Sequence, residues 1–259
     1  MFSSLSTHAQ YLWLVAASLI AGVMNAMAGG GSFISFPAML SIGVPPIQAN
    51  ATNTVALWPG QLVSIWELRS DVRRDLVMVV SIASVAGGIA GALVLLNTRQ
   101  RTFMHMVPWL LLTASVLFGI SGPVSRWLRR RSAEPHQQHP PNTLAIFAAL
   151  FPVCFYIGYF GAGAGFVTMT ALALFGVEDM KALNSLKLLA ACLSNFCAVA
   201  TFILRGAVVW HYCAVSMFFA AAGGYIGAQY ARRTRPDVLR GIVVVTGCAM
   251  AAYFFWRQS

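Results

Sequence analysis

The chain has 259 residues, of which 58% are hydrophobic and 9% charged, with a formal net charge of +10 at pH 7. Its mean hydropathy of +0.72 implies more apolar surface than one soluble core can hide, so a soluble domain is excluded and lipid becomes the covering medium. The positive charge would suggest nucleic acid in a soluble protein, but here the arginines fall between apolar runs, where orientation signals belong, and no nucleic-acid partner is expected.

Apolar runs lie near residues 11–28, 54–68, 76–96, 103–120, 143–160, 186–204, 207–231 and 238–256. Each approaches the roughly 20 residues of a helical span. Two further runs, 33–42 and 166–177, are too short. The runs lack the two-residue alternation of an outer-membrane barrel, so the fold class expected is an all-α polytopic membrane protein. Ala26 and Ala28 imitate a cleavage site, but the first ten residues carry no Lys or Arg, and no cleaved signal peptide is expected. Cys154, Cys192, Cys197, Cys213 and Cys248 lie in apolar segments without C-x-x-C spacing. They read as small buried hydrophobes, and no metal site or cofactor is expected.

The first half recurs in the second. "GGGSFISFPAMLSIGVPPIQANAT" (29–52) aligns with "AGAGFVTMTALALFGVEDMKALNS" (162–185), placing Gly30 on Gly163, Gly43 on Gly176 and Ala49 on Ala182. Farther on, after a three-residue slip, Gly87, Gly88 and Gly91 fall on Gly223, Gly224 and Gly227. The organisation expected is a first transmembrane repeat over 1–125, a cytoplasmic connector over 126–142 and a second repeat over 143–259. The connector's charge and prolines suit solvent, and His136 and His139 within it are not read as metal ligands. If each half crosses the membrane an odd number of times, most basic residues share one side, among them Arg69, Arg73, Arg74, Arg126, Arg129, Arg130, Arg131, Lys181, Arg232, Arg233, Arg235 and Arg240. Only Arg99, Arg101, Arg205 and Arg257 face the other. Parallel halves would erase that asymmetry, so the positive-inside rule favours two inverted repeats.

Inverted repeats with paired glycine-interrupted segments point to a transporter's binding site. Each half reads as a glycine-tipped broken-helix hairpin plus about three spanning helices. Broken backbone at membrane depth is tolerated only where protein or a watered cavity satisfies it. Each tip starts a short helix, whose free N–H groups and positive dipole end suit an anion, while glycine allows close approach. The candidate substrate-binding residues are therefore Asn25, Gly29, Gly30, Gly31 and Ser32 at the first tip, and Gly161, Gly163 and Gly165 at the second. Gly87, Gly88, Gly91 and their counterparts read instead as small residues that permit tight helix packing.

Asn50, Asn53, Thr54, Gln61 and Ser64 recur on one helix face, with a kink expected at Pro59-Gly60. Asn184, Lys187, Ser194 and Asn195 do the same in the second half. Of these, Asn50, Asn53, Thr54, Asn184, Lys187 and Asn195 join the candidate site. Lys187 is the only basic residue well inside an apolar run, and an ionisable residue at that depth reads as functional, the alternatives being an ion pair with Glu67 or snorkelling. No Asp or Glu lies deep in a span, so no carboxylate proton relay is visible.

The tip followed by "SFISFPAML" and "GVPPIQANATNT", and its repeat "GAGAGFVTMTALALFGVEDMKALNSLK", resemble the TauE/SafE family of anion permeases over nearly the whole chain. The second tip departs from an all-glycine run at Ala162 and Ala164. The resemblance implies a multi-pass permease of the bacterial inner membrane, exporting small sulfur oxyanions such as sulfite or organosulfonates between the two tips. A passive anion channel and a carboxylate permease share this architecture. A membrane-embedded enzyme is disfavoured, because the spans hold no His/Asp/Glu cluster, no H-E-x-x-H and no G-x-S-x-G. The expected partners are a small inorganic or organic anion and the lipid bilayer. A homo-oligomer is compatible with the sequence, and a coupling ion is not specified by it.

Overall fold

The computed structural model describes residues 6–28, 30–61, 74–131, 143–162, 164–174, 180–231 and 236–258. Those residues form ten α-helices and no strand: α1 (Thr7–Ala28), α2 (Ser32–Ser41), α3 (Pro46–Leu57), α4 (Arg74–Asn97), α5 (Gln100–Arg131), α6 (Thr143–Tyr159), α7 (Ala164–Leu174), α8 (Met180–Leu204), α9 (Trp210–Ala231) and α10 (Pro236–Gln258). The protein is an all-α polytopic membrane protein. Among the described residues four stretches are long and apolar enough to span by themselves: Thr7–Ala26, Asp75–Asn97, Gln100–Ile120 and Lys181–Leu204. Thr143–Tyr159 and Gly241–Trp256 are apolar but shorter. Large apolar side chains such as Leu12, Met78, Trp109, Phe218 and Trp256 point outward, where a bilayer would cover them.

The expected hairpins are α1–α2 and α6–α7, and in each the two arms pack together. Past Pro123, α5 runs on through Arg131, into the first residues of the segment 126–142. Residues 132–142, including His136 and His139, lie outside the described residues. Local chemistry sets the remaining ends. Gly43, at φ +95°, closes α2 with its N–H on Leu40 O (3.1 Å) and that of Val44 on Met39 O (3.2 Å). Gly206, at φ +65°, closes α8 in the same way, with bonds from Gly206 to Ile203 O and from Ala207 to Phe202 O. A left-handed residue here lets the last carbonyls find donors. Pro46 opens α3, where its missing N–H costs nothing. The break at Pro59 falls where expected, and α3 stops at Leu57 because proline offers no N–H to continue the ladder.

One end of the molecule gathers the α1 and α9 starts, with Tyr11 and Tyr212 rings 5.7 Å apart. At the same end Trp13 Nε1 donates to Ser41 Oγ (3.0 Å), Ile47 N–H to Gln100 Oε1 (2.9 Å) and Val209 N–H to Thr52 Oγ1 (3.0 Å). Arg99, Arg101 and Arg205 are exposed there. Following α4, α5 and α8 along their lengths puts Arg74, Arg131 and Lys181 at the opposite end.

The most extensive seams exchange partners between the halves: α1 of the first packs on α9 of the second, and α6 of the second on α4 of the first. The contacts correspond residue by residue. A Cβ on Gly91 would collide with Phe155 O, and one on Gly227 with Val23 O. A Cβ on Gly87 would lie 2.8 Å from Phe155 N, and one on Gly223 3.1 Å from Val23 N. These glycines therefore serve close helix packing. Gly91→Val and Gly227→Val are expected to destabilise the detergent-purified protein by about 1–3 kcal/mol through overpacking. Gly241→Ala, with nothing within 4 Å of its Cβ, should leave the melting temperature unchanged or slightly raised. Equal melting temperatures for all three would contradict the tight-seam account.

Candidate functional site

Between the two hairpin tips lies a small pocket of about 50 Å³. The first tip contributes Asn25, from the last turn of α1, and Ser32, which opens α2. The second contributes Phe160, Gly161 and Ala162, which follow α6. Thr54 and Leu57 reach it from α3, Gln61 from the helical residues 59–61 that follow the break, and Asn195 from α8. Among the described residues no charged side chain lines it.

The two tips need glycine for different reasons. Gly161 has φ +80°, a conformation that L side chains rarely adopt, and its Cβ position is 3.7 Å from Asn195 Oδ1. Gly31 has ordinary helical angles but is pressed against Ala21 O and Asn25 of α1. Gly30 is buried against Val243 of α10, with a Cβ position 2.8 Å from both of its methyls. The first tip is thus a matter of close packing, the second of backbone conformation.

Side chains of α3 hold both tips. Asn50, 2% exposed, donates through Nδ2 to Tyr159 O (3.1 Å) at the end of α6. Asn53, equally buried, donates to Ser32 Oγ (3.1 Å), and its Oδ1 accepts from Ser35 Oγ. Thr54 Oγ1 donates to Asn50 O (2.9 Å), while Asn195 Nδ2 donates to Gln61 Oε1 (3.0 Å). Tyr156 OH donates to Ala162 O (2.8 Å) and so closes the second tip. Toward the end where α5 begins, the pocket is backed by aromatic rings that meet edge to face. Phe36 meets Phe160 (5.7 Å) and Phe103 (6.3 Å), and Phe103 meets Tyr159 (5.8 Å). Tyr159 OH reaches Met106 Sδ at 3.5 Å.

Of the residues expected at the site, Asn25, Ser32, Thr54, Gly161 and Asn195 come together around the pocket. Asn50 and Asn53 stand one layer behind it as braces, and Gly30 and Gly31 are packed behind Ser32. Gly165 is the second residue of α7. Asn184 and Lys187 are half-buried on the Asn195 face of α8, and Lys187 sits eight residues, or roughly 12 Å along the axis, from Asn195. It has no hydrogen-bond or ion-pair partner among the described residues. Gly29, Gly163, Ser64 and Glu67 lie outside the described residues. Leu57, Phe160 and Ala162 were not foreseen; the adjacency of Phe160 and Ala162 to Gly161 was the available signal. Gln61 was foreseen only as part of a polar helix face.

The family model described as sulfite exporter TauE/SafE matches residues 14–254. A probable membrane transporter protein, ORF9, from a Sinorhizobium species is 29% identical over 243 residues, covering 92% of this chain and 90% of that protein. A probable membrane transporter protein from Haemophilus influenzae is 27% identical over 252 residues, covering 95% and 94%. The probable membrane transporter protein YfcA of Escherichia coli K12 is 27% identical over 245 residues, covering 91% and 86%. No solved structure matches the chain. With a match that runs through both hairpins and nearly every helix, the chain belongs to the TauE/SafE family of membrane transporters.

Proposed function

We propose that the chain is a carrier, not an enzyme, that exports small sulfur oxyanions such as sulfite or an organosulfonate across the bacterial inner membrane. The observation that carries this reading is the small polar pocket to which both glycine tips contribute. At the start of α2 the N–H groups of Phe33, Ile34 and Ser35 already donate to Gly30 O and Gly31 O, so the N–H of Ser32 would serve an anion there, together with the side chains of Asn25, Ser32, Thr54 and Asn195. Gly29, Gly163 and Gly165 would allow its close approach, since glycine puts no side chain in the way. The name of the family model supports sulfite as the first substrate to test.

The halves 1–125 and 143–259 are read as inverted, with the connector 126–142 in the cytoplasm. The segregation of Arg74, Arg131 and Lys181 from Arg99, Arg101 and Arg205 supports that orientation. Asn184 and Lys187 would then line the route from the cytoplasmic end toward the pocket, with Lys187 supplying positive potential to an approaching anion.

Four measurements test this reading. In a background carrying Cys248→Ser, a cysteine at Ser3 should label from outside the cell and one at Ser132 should not; equal labelling from outside overturns the inverted topology. In proteoliposomes, sulfite flux driven uphill by an imposed gradient of a coupling ion marks a carrier, downhill flux alone marks a channel, and no flux of any sulfur oxyanion removes the substrate assignment. Gly161→Ala in that assay forces a side chain into the left-handed region at a cost of roughly 1–2 kcal/mol. Flux should fall about tenfold if the tip must hold its shape in the transition state, with the protein still in the membrane. Lys187→Met should weaken sulfite affinity by about 1 kcal/mol, the Coulomb energy at roughly 12 Å and an effective dielectric near ~20, without lowering the melting temperature. A lower melting temperature with unchanged affinity, reproduced by Glu67→Gln, would assign Lys187 to a structural pair instead.

A further inference from the structure

The polar groups around the pocket are not interchangeable, because most have already committed one hydrogen-bonding function to the protein. Ser35 Oγ has one hydrogen and two acceptors in reach, Asn53 Oδ1 and, farther away, Gly31 O at 3.1 Å; donated to the nearer, it turns the Asn53 carbonyl toward Ser35 and its amino group toward Ser32. Ser32 Oγ therefore accepts from Asn53, and its hydroxyl hydrogen is left for whatever occupies the pocket. Gln61 Oε1 accepts from Asn195 Nδ2, leaving the Gln61 amino group as a second donor and Asn195 Oδ1 as an acceptor. Thr54 has the opposite arrangement: its hydroxyl hydrogen goes to Asn50 O, so only its lone pairs remain for an occupant.

Charge narrows the occupant further. The described lining holds no Lys or Arg. Desolvation cost grows with the square of the charge, so a dianion entering such a site costs about four times as much as a monoanion of similar size. The donors on Ser32 and Gln61 suit negative oxygens. The acceptors on Thr54 and Asn195 do not: facing a fully deprotonated ion they would set lone pair against lone pair, whereas an O–H on the occupant would satisfy one of them.

Resting on the transporter reading above, we infer that the pocket selects a small, singly charged oxyanion that still carries one O–H group, of which hydrogensulfite is an example. Dianionic sulfite and monoanions without a donor, such as alkanesulfonates, bind less well. The retained O–H donates to Thr54 Oγ1, and the charged oxygens accept from Ser32 and Gln61.

Anaerobic isothermal titration of the full-length protein in detergent tests this with three probes: sulfite from mildly acidic to mildly alkaline pH, methanesulfonate, whose charge is constant over that range, and sulfate. Affinity for total sulfite should fall as pH rises, in step with the hydrogensulfite fraction. Methanesulfonate should bind more weakly and without pH dependence, and sulfate weakest of all. Thr54→Val should lower sulfite affinity at acidic pH about tenfold, the scale of one hydrogen bond, and leave methanesulfonate unchanged, while Thr54→Ser should behave as the parent. Sulfite affinity that is flat or rising with pH in the parent overturns the inference alone, as does a Thr54→Val loss shared equally by sulfite and methanesulfonate. Absence of binding by every sulfur anion at every pH overturns the substrate class and this inference together.

Discussion

A helix interrupted halfway across a bilayer strands backbone groups where no bulk water can satisfy them, and two such interruptions face each other in this molecule. The answer is one turn of α3. Asn50 donates to the end of α6, and three residues later Asn53 donates to the serine that opens α2. Two buried amides from one helix thus fix both broken hairpins relative to each other, and the small pocket exists because they do. Removing either amide would leave a buried carbonyl or hydroxyl short of a partner, a cost of about 1–3 kcal/mol, as well as a tip free to shift.

Around that centre the architecture is an exchange. Each broken hairpin is backed by a glycine-bearing helix from the other half, with Gly87 and Gly91 against α6, and Gly223 and Gly227 against α1. Apolar association gives little advantage between helices already in lipid, so intimate van der Waals contact has to hold these seams. Backbone against backbone at glycine is the closest contact available. The candidate site is consequently not a feature of either half alone, since each tip is positioned by elements of both.

Much of this was legible in the sequence, for physical reasons. Long apolar runs and clustered arginines are composition-level signals that lipid enforces, so helices and ends followed directly. The glycine repeat announced the hairpins and marked Gly87, Gly91, Gly223 and Gly227 as close-packing positions, but not that their partners lie in the opposite half. What the sequence concealed was direction. Asn50, Asn53, Thr54 and Gln61 read as one polar face, yet Asn50 and Asn53 point into the protein as braces while Thr54 and Gln61 reach the pocket. A helical period places residues on a face but does not tell which neighbour will claim their hydrogen bonds. Likewise Gly30, Gly31 and Gly161 look alike as letters, whereas the first two are excluded-volume glycines and the third is a dihedral one.

The ring layer of Phe36, Phe103, Tyr159 and Phe160 has an electrical meaning. All four residues are at most 6% exposed, and they stand between the pocket and the end of the molecule where α5 begins. An ion pushed through such a layer loses its hydration shell and meets only ring faces and edges in return, at a desolvation cost of several kcal/mol. In this conformation the ring layer is a low-dielectric partition on that side of the pocket, so a charged occupant would meet a barrier there and not an open path.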